Sequence, residues 1–188
     1  MIRQAVILSF VLAALLWAGP SPAQVQDPLL YGRLFPLDEA FTADFRVYAA
    51  PEGEVFFTIE RQAAKNRTGP LRPGDLFNPR RLEFGIDGQF NHLAELLEKG
   101  VLWWKVSREQ KIETAKEIGF MGDRELVLVF VSEKKGALAW IDLDIPYFRR
   151  EGYPRLRLSP EDAARFAAAL RRAPDVIRRL RNAGELTR

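Results

Sequence analysis

Asp142 and Asp144 come closest, by type and spacing, to a pair of catalytic carboxylates. They alternate within residues 137–145 (ALAWIDLDI), so in a strand both side chains lie on one face, about 7 Å apart. Such a pair could hold calcium together with loop oxygens, or act as acid and base in hydrolysis. Arg155 and Arg157 alternate in the same way shortly afterwards, and on a neighbouring strand they would pair with the two aspartates. We favour the ion pairs and keep the acidic site as an alternative.

The remaining reactive residue types exclude several kinds of chemistry. The chain has no cysteine, which rules out thiol catalysis, cysteine-ligated zinc and thiolate-bound clusters. Its one histidine, His92, has Glu95 three residues later, an arrangement that could orient a general base but that also suits a solvated helix surface. The sequence contains neither a G-x-S-x-G elbow nor a phosphate-binding glycine loop. We therefore predict no catalytic residue, no metal and no cofactor, and a binding protein rather than an enzyme.

Aromatic and basic residues form the strongest candidate for a recognition surface. The segment after residue 145 combines three aromatic residues with two arginines, and a pair of adjacent tryptophans lies earlier in the chain. We interpret residues 101–106 (VLWWKV) as a strand, in which adjacent tryptophans point to opposite faces. The predicted surface comprises Trp103, Tyr147, Phe148, Arg149, Arg150 and Tyr153. The alternative is that these side chains pack against the core.

The first 23 residues predict export. Arg3 precedes an apolar run over residues 5–18, and small residues follow up to Ala23, as in a cleaved signal peptide. That run is shorter than the roughly 18–20 residues needed to span a bilayer, and no later run is longer, so we expect no transmembrane segment after cleavage. The expected location is periplasmic or secreted, and nucleic acid is not an expected partner. Asn66 begins an Asn-Arg-Thr acceptor that matters only if the host glycosylates exported proteins.

Residues 24–188 have the length of a single domain. Alternation and turn residues predict short strands at residues 45–49, 54–61, 81–86, 101–106, 125–132, 137–145 and 155–158. Helices are predicted from Phe90 to Gly100, over residues 108–118 (which a strand pair could also host), and from the N-cap Ser159 onward. Pro174 should kink or break the last helix. Residues 24–43 are interpreted as irregular and residues 63–79 as a long loop.

Strands first and a long helix last favour an α+β fold, with one antiparallel sheet of about six or seven short strands and helices packed on one face. For function we expect an exported, non-catalytic domain that binds a protein or another envelope component. A first alternative is an exported hydrolase of carbohydrate or peptide that uses Asp142 and Asp144. A second is a lipid carrier with an apolar cavity between sheet and helix.

Overall fold

A computed structural model describes residues 29–36, 41–63, 81–86, 89–150 and 155–186. The predicted leader, Asn66 with most of its long loop, and Tyr153 lie outside these residues. The described strands are β1 (Leu29–Pro36), β2 (Phe41–Ala49), β3 (Val55–Ala63), β4 (Arg81–Ile86), β5 (Thr114–Met121), β6 (Leu126–Glu133), β7 (Leu138–Asp144) and β8 (Leu156–Leu158). The described helices are α1 (Phe90–Gln110), α2 (Pro146–Arg150), α3 (Pro160–Arg171) and α4 (Ala173–Leu186).

The α+β class is confirmed, but the prediction of one sheet with six or seven strands is wrong. The strands form two four-stranded antiparallel sheets, β1-β2-β3-β4 and β5-β6-β7-β8, each in sequence order. The predicted hairpins are β2–β3, where Val47 faces Phe57, and β6–β7, where Phe130 faces Ile141. The chain changes sheet because the long helix α1 separates β4 from β5.

The segment predicted as irregular contains β1 and the start of β2. In β1, Phe35 is buried in the core and Tyr31 packs partly against it, whereas the outward Leu34 is exposed. An apolar residue on the outer side removes the apolar–polar alternation that marks a half-buried strand in sequence. The apolar–polar pattern of the sequence therefore did not predict β1.

Helix α1 corrects two further predictions. It continues through residues 101–106, so Trp103 and Trp104 lie on a helix rather than a strand, and it ends at Gln110. Lys111 adopts a left-handed conformation after it and donates its backbone N–H to the carbonyl oxygen of Ser107. The segment predicted as a helix over residues 108–118 instead contains β5, the alternative that the sequence left open.

Gly100 lies inside helix α1 and does not end it. Its lack of a side chain permits the helix to pack closely on the second sheet. A Cβ added there would lie 2.5 Å from Ile141 Cδ1 and 2.8 Å from Ile118 Cδ1. Helix α1 therefore lies directly on the side chains of β5 and β7. The sequence suggested a C-terminal glycine signal, but the same residue type also permits two elements to approach closely inside a helix.

The two long helices pack between the sheets, and α3 contacts strands of both, β1 in the first sheet and β7 and β8 in the second. Helix α1 follows the first sheet but packs on the second, where the Trp103 ring contacts Phe130 edge-on at a centroid distance of 6.1 Å. Helix α3 follows the second sheet but places Phe166 against the first, 6.1 Å from Phe45 and 6.0 Å from Phe57. The two helices also contact one another extensively. The two halves therefore share one hydrophobic core.

The C-terminal helices begin and break as predicted. The backbone N–H of Asp162 donates to Ser159 Oγ at 3.1 Å, which makes Ser159 the N-cap of α3. Of the two alternatives near Pro174, the structure has the break, because α3 ends at Arg171 and α4 begins at Ala173. In α4, Arg181 donates to the carbonyl oxygens of Pro51 at 2.6 Å and Glu52 at 2.7 Å, which fastens α4 to the β2–β3 turn.

Within the described ranges, the helices are all too short or too polar to cross a lipid bilayer.

Replacing Gly100 with alanine should destabilise the protein by about 1–2 kcal/mol, because the added methyl group overpacks the contact with Ile118 and Ile141. The matched control is Gly184→Ala in α4, where an added Cβ meets no atom within 4 Å. That control should stabilise the protein by about 0.5–1 kcal/mol through helix propensity alone. Urea denaturation measures both values, and equal effects of the two substitutions would contradict the close packing at Gly100.

The ion pair between α1 and α3 should make stability depend on pH. Arg171 donates to both carboxylate oxygens of Glu98, at 3.1 and 2.8 Å, and these hydrogen bonds lower the pKa of Glu98. A lowered carboxylate pKa contributes stability above the unfolded pKa of about 4.3, and that contribution disappears as the pH falls through the folded pKa. Glu98→Gln should therefore lower the urea midpoint at neutral pH but not at about pH 3.

Glu109→Gln, on the exposed side of the same helix, is the control for the loss of one negative charge. A pH-dependent difference of the same size in this variant would show that the effect belongs to overall charge and not to the pair.

Candidate functional site

The outer face of the second sheet, which points away from α1, places Asp142 and Asp144 beside a row of valines. Along β6, alternate residues point inward and outward, so that Val127, Val129 and Val131 share the outer face. Val127 lies opposite Asp144, and Val129 lies opposite Asp142. The face thus has an apolar part on β6 and a charged part toward β8.

Both aspartates are nearly inaccessible and are held by arginines. Arg157 Nε lies 3.0 Å from Asp142 Oδ1, and Asp142 is only 4% exposed. Arg149 Nε lies 2.6 Å from one carboxylate oxygen of Asp144, and Arg155 Nε lies 3.1 Å from the other. The pairing of Arg155 and Arg157 expected from sequence is therefore present, and α2 contributes the third arginine. This arrangement neutralises the two carboxylates.

Aromatic side chains flank the valine row at both ends. Trp140 lies opposite Val131, and the Arg157 guanidinium stands 4.0 Å from the centre of a Trp140 ring. At the other end Phe120 lies opposite Val127 and is 44% exposed. We call this row the valine stripe; it comprises Phe120, Val127, Val129, Val131 and Trp140.

Ion pairs also border the stripe beside Phe120. Arg124 bonds both carboxylate oxygens of Glu117, at 3.3 and 2.6 Å, and its guanidinium lies 5.0 Å from the centre of the Phe120 ring. The hydrogen bonds that Arg124 donates to Glu117 raise the pKa of Arg124, so its charge persists at any ordinary pH. The side chains that border the stripe here are therefore polar, and their opposite charges balance one another.

A strand that is apolar at successive positions is typical of one covered on both faces, but β6 is fully covered on one face only. Leu126, Leu128 and Phe130 are fully buried against the core, whereas the three valines on the other side are only partly covered. A run of apolar residues looks the same in sequence whether its second face lies under another element or is left open. The sequence therefore did not predict the valine stripe as a surface feature.

The predicted aromatic–basic surface is only partly assembled. Tyr147, Arg149 and Arg150 are exposed on α2, but Phe148 is buried and contacts Phe84. Trp103 lies on α1 against Phe130, with Lys99 and Lys116 near its ring. Tyr153 is outside the described residues. What reaches the surface is a short cluster at the edge of the second sheet, joined to it through the Arg149–Asp144 pair.

His92 lies on the exposed side of α1, 3.8 Å from Glu95, as the helical spacing predicts. Among the described residues there is no group of three or more histidine, aspartate or glutamate side chains that could hold a metal ion. Both side chains of the His92–Glu95 contact are largely exposed, as on the solvated helix surface that the sequence also allowed.

Comparisons with protein-family models, curated proteins and solved structures give no match to this chain.

The Asp142–Arg157 pair should respond unequally to loss of its two partners. Arg157→Ala leaves a buried carboxylate without its donor and should cost about 1–3 kcal/mol of unfolding free energy. Asp142→Asn leaves an arginine that can turn to solvent and should cost less than about 1 kcal/mol. Thermal or urea denaturation measures both. A gain in stability from Asp142→Asn would contradict this assignment, because it would mean that the carboxylate is held unfavourably, as at a catalytic site.

Proposed function

We propose that this protein is an exported, non-catalytic domain that binds a protein partner through the outer face of its second sheet. The observation that carries the proposal is the valine stripe. A strand with one face toward water ordinarily alternates apolar and polar residues, but the outward positions of β6 from 127 to 131 are all valine. Contiguous apolar surface with a polar border is typical of interaction sites.

The chemistry around the stripe favours a protein as the partner. Aromatic and arginine side chains are enriched at the energetic centres of protein interfaces, and this face carries Trp140, Phe120 and Arg157. The neighbouring carboxylates and guanidinium groups already pair with one another. Covering them therefore does not leave a lone charge without solvent, which is the costly event in association.

The two alternatives have less support. A hydrolase needs a carboxylate free to exchange a proton or bind a reacting group, whereas Asp142 and Asp144 are each committed to arginine. A lipid carrier needs an enclosed apolar cavity. In the described core, that space between sheet and helix is filled by the mutually contacting rings of Phe45, Phe57 and Phe166.

The proposed location is based on the leader-like residues 1–23 and on the absence of cysteine, which leaves the fold independent of the redox state of its surroundings. An extracytoplasmic binding domain needs no cofactor and no energy source. Its partner would be another component of the same compartment.

A photo-crosslinking amino acid at position 129 tests the proposal in the cells that export the protein. We expect p-benzoylphenylalanine in place of Val129 to give a discrete protein adduct, identifiable by mass spectrometry. The same residue in place of the exposed Arg179 on α4 should give none. Once the partner is known, Val129→Lys should weaken its binding tenfold or more while changing stability by less than about 1 kcal/mol.

Adducts of the same kind from positions 129 and 179 would contradict the proposal, since they would reflect chance encounters. An adduct found only between two copies of this chain would show that the face mediates self-association and does not bind a different protein.

A further inference from the structure

The end of the molecule formed by the last turns of α1 and the β6–β7 turn is built as a single rigid unit. A Cβ added to Gly136 in the turn would lie 2.3 Å from the carbonyl oxygen of Ser107 in α1. Ser132 donates its hydroxyl to the carbonyl oxygen of Ile112 at 2.9 Å, and the backbone N–H of Lys135 donates to Glu113 at 2.7 Å. We call this region the lysine end; it comprises residues 104–113 and residues 133–138.

The lysine end concentrates cations that form no ion pair with another described residue. It contains Lys105, Arg108, Lys111, Lys134 and Lys135, and thus four of the seven lysines in the chain. None of these five side chains forms an ion pair within the part of the chain that the structure describes. Three carboxylates, those of Glu109, Glu113 and Glu133, share the region and leave a net charge of +2. On the second sheet's outer face, by contrast, Arg149, Arg155 and Arg157 are all paired.

Three of these lysines, including Lys111 after α1, occupy a backbone conformation that lysine disfavours. Lys134 and Lys135 both have positive φ, 50° and 56°, at the β6–β7 turn. Tight turns with two such residues ordinarily contain asparagine and glycine, which adopt the left-handed region at little cost. Unfavourable backbone conformations persist where another requirement outweighs them. The turn thus keeps two lysines where asparagine and glycine would cost less.

Exposed aliphatic side chains lie among the cations. Val106, Ile112 and Leu138 are 37%, 40% and 44% exposed. An open groove with a volume of about 370 Å³ adjoins them and is lined by Trp104, Lys105, Arg108 and Glu109. The Arg108 guanidinium lies 5.9 Å from the centre of the Trp104 ring. Cations, aliphatic groups and an indole thus occur together at one convex end.

We propose that the lysine end binds the surface of a membrane that contains anionic phospholipids. The ammonium groups would lie at the level of the phosphates, with the three aliphatic side chains inserted between the lipids. Tryptophan favours this same boundary between water and acyl chains. A soluble polyanion would satisfy the cations but offers no apolar interior to Val106, Ile112 and Leu138. Leu138 shares the outer face of β7 with Trp140, so this surface borders the valine stripe, but its cations lie outside the stripe and its role does not depend on the function proposed there.

Vesicle flotation tests the proposal with the chain that starts at Gln24. Residues 1–23 are omitted because their apolar run would bind lipid by itself, and every described element is retained. Vesicles of phosphatidylcholine with about one quarter phosphatidylglycerol should bind the protein, and vesicles of phosphatidylcholine alone should bind it at least tenfold more weakly. Raising the salt concentration should weaken binding to the anionic vesicles.

The informative variant is Lys134→Asn combined with Lys135→Gly. It removes two charges and supplies the residues that the turn conformation prefers, so we expect a Tm at or above that of the parent chain together with a tenfold or greater loss of vesicle binding. The control, Arg172→Gln with Arg179→Gln, removes two exposed charges, one between α3 and α4 and one on α4, and should bind vesicles as the parent does. Ile112→Ser with Leu138→Ser should also weaken binding, with net charge unchanged.

Three results would overturn the proposal: equal binding to neutral and anionic vesicles, an equal loss of binding in the arginine control, or binding to heparin without binding to vesicles. The last result would assign the lysine end to a soluble polyanion.

Discussion

The close contact of α1 with the second sheet, and of α3 with the first, is the constraint on which the rest of the structure depends. Gly100 permits α1 to lie directly against Ile118 and Ile141, and Phe166 places α3 among the rings of the first sheet. Because α3 contacts β1 as well as β7 and β8, the two sheets bury their apolar faces in one shared core. The fold achieves this without disulfides, since the chain contains no cysteine.

This arrangement explains why the candidate surfaces lie where they do. The helices contact the inner faces of both sheets, so the outer faces and the ends of the elements remain for recognition. On the second sheet, the ion pairs of Asp142 and Asp144 fix the charged part of the outer face, next to valines that no described element covers fully. At the far end of α1, the packing of Gly136 on Ser107 fixes a second surface of different chemistry.

Local signals in the sequence were sufficient for part of this structure. Alternation predicted the β2–β3 and β6–β7 hairpins, the cap at Ser159 predicted the start of α3, and matched spacing predicted the pairing of Asp142 with Arg157. The failures share a physical cause, which is that they depend on contacts distant in sequence. Gly100 has the same signature whether it ends a helix or admits Ile141, and the valines of β6 are the same whether or not a second layer covers them. The division into two sheets followed from the length of α1, which the assignment of residues 101–106 to a strand had concealed.

The packing of α3 on the first sheet also has a consequence for the order in which the chain can fold. Phe166, which completes the interior of β1–β4, is synthesised more than seventy residues after β4 ends. The aromatic residues of the first sheet therefore lack the cover of Phe166 until almost the whole polypeptide has been synthesised. Such a delay would suit the export proposed above, because premature collapse of the leading half would block passage through a narrow translocation channel.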